Sequence, residues 1–344
     1  MKRRTNFELL RIVAMIMILF HHLACHSSFV FDGLSIGRLW INLISIGGKI
    51  GVSLFILITG YFMIEKEKLK VSKLVKLWLE LLFYDLLIYF IFVIFKLTSF
   101  NIKDLIFRFM PITNREWWFA STYFVLILFT PLINVMLDRI SKETYKKYLI
   151  IGFICFSIIP TFINRGFESN NLIWFIYIYS VGAYIRLYEN DFKYRSGECI
   201  LCSLILLILT YILKTCLDIS SINILNAFSL RLYDLKSFAL FAISLFMFIG
   251  FKNMNIKDND YINIIAKATF GVYLIHDNNF VRPYLWNFIN APKYTNSVFI
   301  IIYSILIVIV IYIICTIIEL LRIKFIEEKY MKKINNIFKK NTTI

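Results

Sequence analysis

Glu8, Arg11, His21, His22 and His26 all lie within one apolar stretch, FELLRIVAMIMILFHHLACHSSFVF, residues 7–31. Ionisable groups are expensive in hydrocarbon, so their presence there points to function. Imidazole supplies a general base or a nucleophile, and a guanidinium clamps anions. The spacing predicts a helix over 7–31 with these groups on defined faces. Arg11 and His22 are eleven positions apart, about three turns plus 20°, so they share a face roughly 16 Å apart along the axis. Glu8 precedes Arg11 by three and can pair with it. His26 follows His22 by one turn, whereas His21 points about 80° away from the Arg11 face.

The elements that must position these groups are helices in a membrane. The 344 residues are 59% hydrophobic, against about 45–50% apolar in a soluble domain. The excess runs the whole length. Apolar runs at 9–31, 39–62, 74–97, 118–137, 148–164, 171–188, 198–217, 233–251, 261–278 and 297–321 are each near the ~20 residues that cross a bilayer. The expected fold is therefore an all-α, polytopic membrane bundle of about ten transmembrane helices with no soluble domain. Residues 7–321 form the membrane domain, and 322–344 form a basic cytoplasmic tail. With the N-terminus inside, 24 Lys and Arg fall in inner segments and 12 in outer ones, which places both termini in the cytoplasm. The net charge of +16 is thus a membrane-surface signal, and nucleic acid is not an expected partner. The basic start at residues 1–4 is read as retained, since the apolar run after it carries charges and lacks a clear cleavage site.

Four separated stretches resemble one family. The first, Glu8-x-x-Arg11 followed ten residues later by His22, resembles the first helix of the membrane-bound acyltransferase 3 family, with Glu8 where Asp is more usual. The second, GGKIGVSLFILITGYFM at 47–63, is similar to that family's G-V-x-x-F-F-x-x-S-G-F stretch through Gly51, Val52, Phe55 and Gly60. In the cytoplasmic stretch EKEKLKVSKLVKLW, Lys73 and Lys76 stand where the family shows R-x-x-R. The late stretch Thr269-Phe270-Gly271-Val272-Tyr273-Leu274-Ile275-His276 resembles its S-x-G-I-Y-L-x-H signature. A Trp-containing helix start at Trp118, with Pro131 following, is also comparable. The resemblance covers about residues 7–321. It implies transfer of an acyl group, most often acetyl, from acetyl-CoA to a carbohydrate hydroxyl at the plasma membrane. The acceptor would be a cell-surface polysaccharide or a lipid-linked glycan precursor. It makes His22, Arg11 and Glu8 the catalytic candidates and Lys73 and Lys76 the coenzyme A phosphate ligands. Trp118, Tyr273 and His276 become candidates for the acceptor side.

Each of these residues also has a plainer reading. Lysines in an inner loop obey the positive-inside rule, and interfacial Trp forms aromatic belts. Glycines in spans let helices pack closely. Buried histidines bond to neighbouring helices. The pair Cys199-x-x-Cys202 has no second pair to complete a zinc site. His22-x-x-x-His26 has metal-ligand spacing, but only His276 and Asp277 offer further ligands, so no metal is expected. A transporter or flippase would also carry many spans and buried charges. It often shows inverted repeats or paired Pro/Gly-broken helices, and neither is evident here. The topology has a direct test. Cysteines introduced near Asn170 should react with an impermeant label from outside, and those near Tyr145 only from inside. Outside access near Tyr145 contradicts the arrangement.

Overall fold

The computed structural model describes residues 4–31, 33–66, 69–163, 170–220 and 222–340, with side chains to residue 337. Lys2, Arg3, Lys68 and Arg165, which enter the charge count, lie outside the described residues, as do residues 341–344 of the tail. Among the described residues there is no strand.

Helix α1 (Thr5–His26) is the hub, touching six other helices as well as its neighbour in sequence. It ends five residues before the expected limit, because Ser28 takes a left-handed φ of 51° that a right-handed helix cannot continue through. Helices α2 (Ile36–Ser45) and α3 (Gly47–Met63) make one span, bent at Ile46. Ser35 caps α2, its Oγ accepting from the Arg38 amide at 3.1 Å. Helix α4 (Val71–Ile94) follows, then a short α5 (Ile102–Arg108) in the connection to the next span. Next comes α6 (Trp118–Asp138). Helix α7 (Lys142–Phe153) runs through a π turn into α8 (Ile159–Ile163).

Then come α9 (Asn171–Leu187), α10 (Ser196–Ile219), α11 (Asn223–Leu232) and α12 (Phe238–Lys252). The expected ninth span is two helices, α13 (Asp260–Lys267) and α14 (Thr269–His276). After α15 (Val281–Ile289), helix α16 (Phe299–Arg322) continues through a second π turn into α17 (Glu328–Lys340). Among the described residues, seven helical segments are long and apolar enough to cross a membrane, while α9 and α12 are shorter apolar helices. The exposed face of α10 carries Leu201, Leu204, Ile208 and Ile212, and that of α16 carries Ile302, Leu306, Ile309 and Ile313. Apolar stripes of that length facing outwards suit lipid.

Helix α3 passes unusually close to its neighbours. A Cβ on Gly60 would lie 2.1 Å from the Tyr179 carbonyl oxygen, and one on Gly182 would lie 2.3 Å from that of Leu57. Backbones this close need glycine. One further feature concerns the end of α16. Arg322 is buried, its Nε donating to Glu319 at 2.7 Å and one terminal nitrogen to Glu319 and Glu327, each at 2.7 Å. Tyr84 donates to Glu319 at 2.6 Å, and Lys76 pairs with Glu327 at 2.5 Å. A buried charge cluster survives only with this density of hydrogen bonds. The helix therefore runs unbroken across the expected boundary at 321, with Arg322 and Glu327 inside the bundle. Gly271 makes room for it, since a Cβ there would meet the Glu319 side chain at 2.4 Å.

Gly60→Ala should lower the melting temperature of the purified protein, with overpacking costing about 1–3 kcal/mol. Gly60→Leu should prevent a monodisperse fold in detergent. Wild-type melting of Gly60→Leu would show that the close contact does not exist.

Candidate active site

Three cavities adjoin one another through shared lining residues, and α1 lines the second and third. The first, about 790 Å³, is lined by Lys66, Lys70, Lys73 and Lys76, with Glu80 the acidic member of the wall. Burial pushes Lys66 below the ordinary lysine range, and the ammonium groups of Lys73 and Lys70 add to this. The cavity is thus strongly electropositive and suits a multiply charged phosphate ligand. Lys76 carries its own counter-charge in Glu327. Lys66, Lys70 and Lys73 have no salt bridge among the described residues.

Lys66, Leu77 and Tyr123 also line a second cavity of about 400 Å³, which adds Arg4, Glu8 and Arg11. Arg11 donates to the Glu8 carboxylate, one turn away on the same helix. Glu8 is buried, and the guanidinium is partly open to the cavity. Phe55, Phe119 and Phe270 belong both to this cavity and to a third, which is small, about 50 Å³. His21, His22, Lys49, Trp118 and Tyr273 line the third cavity. An aromatic wall thus stands between the arginine and the histidines.

The hydrogen bonds around His22 determine which of its nitrogens is available. A backbone carbonyl only accepts, so the 2.6 Å contact between His276 Nδ1 and the Val272 carbonyl requires a proton on Nδ1. Neutral His276 then presents Nε2 as an acceptor. His22 Nδ1 lies 2.9 Å from it and must donate. That leaves the lone pair of neutral His22 on Nε2, which no described residue engages. This is the arrangement of an oriented base. Asp277 Oδ1 lies 3.6 Å from His22 Nδ1 and 3.7 Å from His26 Nε2, ready to steady positive charge on the imidazole.

The turn bearing His276 and Asp277 is held from several directions. Arg282 donates to Asp277 Oδ1 at 2.8 Å and to the Asp277 carbonyl at 2.9 Å. Glu116 accepts from Asn278 Nδ2 and the Asn279 amide, each at 3.1 Å, and its other oxygen accepts from Arg108 at 2.8 Å. Trp117 Nε1 donates to the Leu274 carbonyl at 3.2 Å. The donor atoms of His22, His26 and Asp277 lie within 4.8 Å of one another, close enough to share a cation. A metal there would have to displace the Arg282 guanidinium from the same Asp277 oxygen.

The structure gathers His22, Trp118 and Tyr273 around one cavity. It places Arg11 and Glu8 at the adjoining second cavity, and Lys73 and Lys76 at the lysine cavity beyond it. His276 is fully buried behind His22 and is not on the cavity wall. His21 does reach the cavity despite its 80° offset, and its Nδ1 lies 2.5 Å from the Ser45 carbonyl. Sequence reasoning missed Asp277 as a partner of His22, and also Lys49, Arg282, Lys66 and Lys70. Two signals were present. Asp277 directly follows the late histidine, and Lys49 is the lone charge in a glycine-rich apolar run.

A membrane bundle that lines up a lysine-rich cavity, an aromatic wall and an oriented imidazole has the layout needed to move a group between two ligands. Compared with known protein families, residues 4–316 match the acyltransferase 3 family, described as an acyltransferase domain. The chain belongs to that family and is a membrane acyltransferase. No curated protein and no solved structure matches it.

Removing the acceptor of the His22 Nδ1 proton should misorient the base. His276→Phe is expected to lower kcat by about 10–100-fold, less than the ~10²–10⁴-fold that loss of a general base itself costs, with KM for the donor nearly unchanged. A wild-type kcat in a folded His276→Phe protein would dismiss the tautomer argument.

Proposed function

We propose that this chain transfers an acetyl group from acetyl-CoA to a hydroxyl of a cell-surface polysaccharide or a lipid-linked glycan precursor. The observation that carries this reading is that His22, its Nδ1 committed to His276, lines a cavity whose aromatic wall is shared with the cavity of Arg11, which in turn adjoins the lysine cavity. Coenzyme A is anionic, and its phosphates suit Lys66, Lys70, Lys73 and Lys76. Its pantetheine arm would extend past Arg11 towards Phe55, Phe119 and Phe270. Arg11 stands roughly 16 Å from His22 along α1. That separation favours a role in holding the donor over stabilising the oxyanion. Glu8 fixes the orientation of the guanidinium. The small volume of the third cavity fits an acetyl group better than a long acyl chain.

In this mechanism His22 Nε2 takes the proton of the acceptor hydroxyl, and the oxygen attacks the thioester carbonyl. The carbon–sulfur bond then breaks, and the thiolate recovers the proton from His22. Asp277 and His276 steady the imidazolium in between. An acetyl-histidine route would use the same nitrogen, and ping-pong kinetics would identify it. The localisation that accompanies this reading is the plasma membrane. Counting α9, α12 and the α13–α14 pair as spans gives ten, and the charge bias then puts both termini in the cytoplasm.

Membranes containing the chain should release labelled acetyl from acetyl-CoA and incorporate it into glycan. A flippase would show neither. His22→Ala should reduce transfer by about 10²–10⁴-fold at normal abundance. Arg11→Lys should cost more than Glu8→Gln, because it loses the planar fork. Because Lys76 pairs with Glu327, Lys73→Glu is the cleaner donor-site probe, and it should raise KM for acetyl-CoA at low salt. A fully active His22→Ala protein would overturn the reading.

A further inference from the structure

Beyond Trp118 lies another cavity, about 600 Å³, whose lining among the described residues has Trp118 in common with the small histidine cavity. Its polar lining is Thr113, Arg115, Ser121, Thr122, Asn170 and Asn171. Hydroxyls and amides around an aromatic face suit a carbohydrate. The distribution of charge is more specific. The Lys49 ammonium sits 5.6 Å from the centre of the Trp118 ring on the histidine side, and Arg115 stands on the far side. Among the described residues no Asp or Glu lines either cavity, and neither cation is in a salt bridge. The nearby carboxylates are committed elsewhere. Glu116 is taken by Arg108, Asn278 and Asn279, and Asp277, whose charge Lys49 feels, is taken by Arg282. A cation left without a counter-charge beside a ligand cavity is a cost that an anionic ligand removes. Arg115 also holds a left-handed φ of 52°, a conformation that side chains adopt at a cost and that clusters at binding sites.

We propose that the space on both sides of Trp118 is an acceptor site for an acidic glycan, with Lys49 and Arg115 binding its carboxylate or phosphate groups on either side of the ring. This inference rests on the reading of His22 as the acetyl-transfer site. Trp118 would stack on a sugar ring while the two cations fix the residues that carry the charge. The hydroxyl to be modified would then lie at His22. Lys49 and Arg115 would select the acceptor, and the lysine cavity on the other side would select the donor.

Binding can be measured without any transfer. The purified full chain in detergent, without acetyl-CoA, is titrated by calorimetry with a glucuronate-containing tetrasaccharide and with the same sugar reduced to its neutral alcohol. A glycerol-phosphate trimer forms the third arm. The acidic sugar should bind at least about tenfold more tightly than the neutral one, as expected for a charge-assisted contact. The preference should shrink as salt is raised. Lys49→Gln with Arg115→Gln should abolish the difference, and Lys49→Arg with Arg115→Lys should restore it. Binding of only one anionic probe would assign the site to carboxylate or to phosphate. Equal affinity for acidic and neutral sugars, failure of both anionic probes to bind, or a preference that survives the double Gln variant would overturn the proposal. A chain that binds the acidic sugar but never consumes acetyl-CoA would overturn the proposed function and leave this site standing.

Discussion

The hydrogen bond between His276 Nδ1 and the Val272 carbonyl decides what the rest of the site can do. It sets the tautomer of His276, which obliges His22 to donate through Nδ1 and leaves Nε2 to receive a proton. His276 sits at the last turn of α14, so the chemistry of α1 depends on where that short helix ends. The contacts of Arg282, Glu116 and Trp117 with residues 274–279 follow from the same requirement, because a shift of one ångström would separate the two rings. Orientation of this kind is worth several kcal/mol in enzymes generally.

The outline of this arrangement was legible in the sequence where the signal is local. Glu8, Arg11 and His22 lie within one helical stretch, and helical periodicity alone places them on one face. The glycines of α3 and the lysines after it were visible for the same reason. The pairing of His22 with His276 was not, because 254 positions separate them and only the packing of α14 against α1 brings them together. The break between α13 and α14 was equally hidden. It falls inside an apolar run with no proline, and hydropathy does not distinguish one long helix from two short ones. Helices α5, α11 and α15 were missed because short amphipathic segments at a membrane surface resemble loops. The wheel argument for His21 considered its offset on α1 and not its neighbours. The cavity curves around α1 towards Gly48, where the absence of a Cβ leaves space for the His21 ring.

Arg322 shows a different limit. Read locally, it opens a basic tail. In the folded chain it is the centre of a buried cluster with Glu319, Glu327 and Tyr84. A charge is tolerated in such a place only when its partners arrive from other elements, and no one-dimensional pattern announces them. Through Glu327 the cluster also holds Lys76, so the packing of the C-terminal helix and the wall of the lysine cavity are one construction.

The aromatic wall of Phe55, Phe119 and Phe270 has an electrical consequence. In the proposed mechanism donor and acceptor meet at this wall from opposite sides, so any net charge that passes between them moves through a drop in the membrane voltage. Each elementary charge crossing that drop exchanges about 2.3 kcal/mol per 100 mV with the field. Suppose that the acceptor hydroxyl lost its proton outwards while the coenzyme A thiolate drew another from the cytoplasm. Every turnover would then push one charge against a negative-inside potential. In the mechanism proposed above, a single imidazole that takes the proton from the oxygen and returns it to the departing sulfur would make the cycle electroneutral, and its rate independent of how strongly the cell is energised.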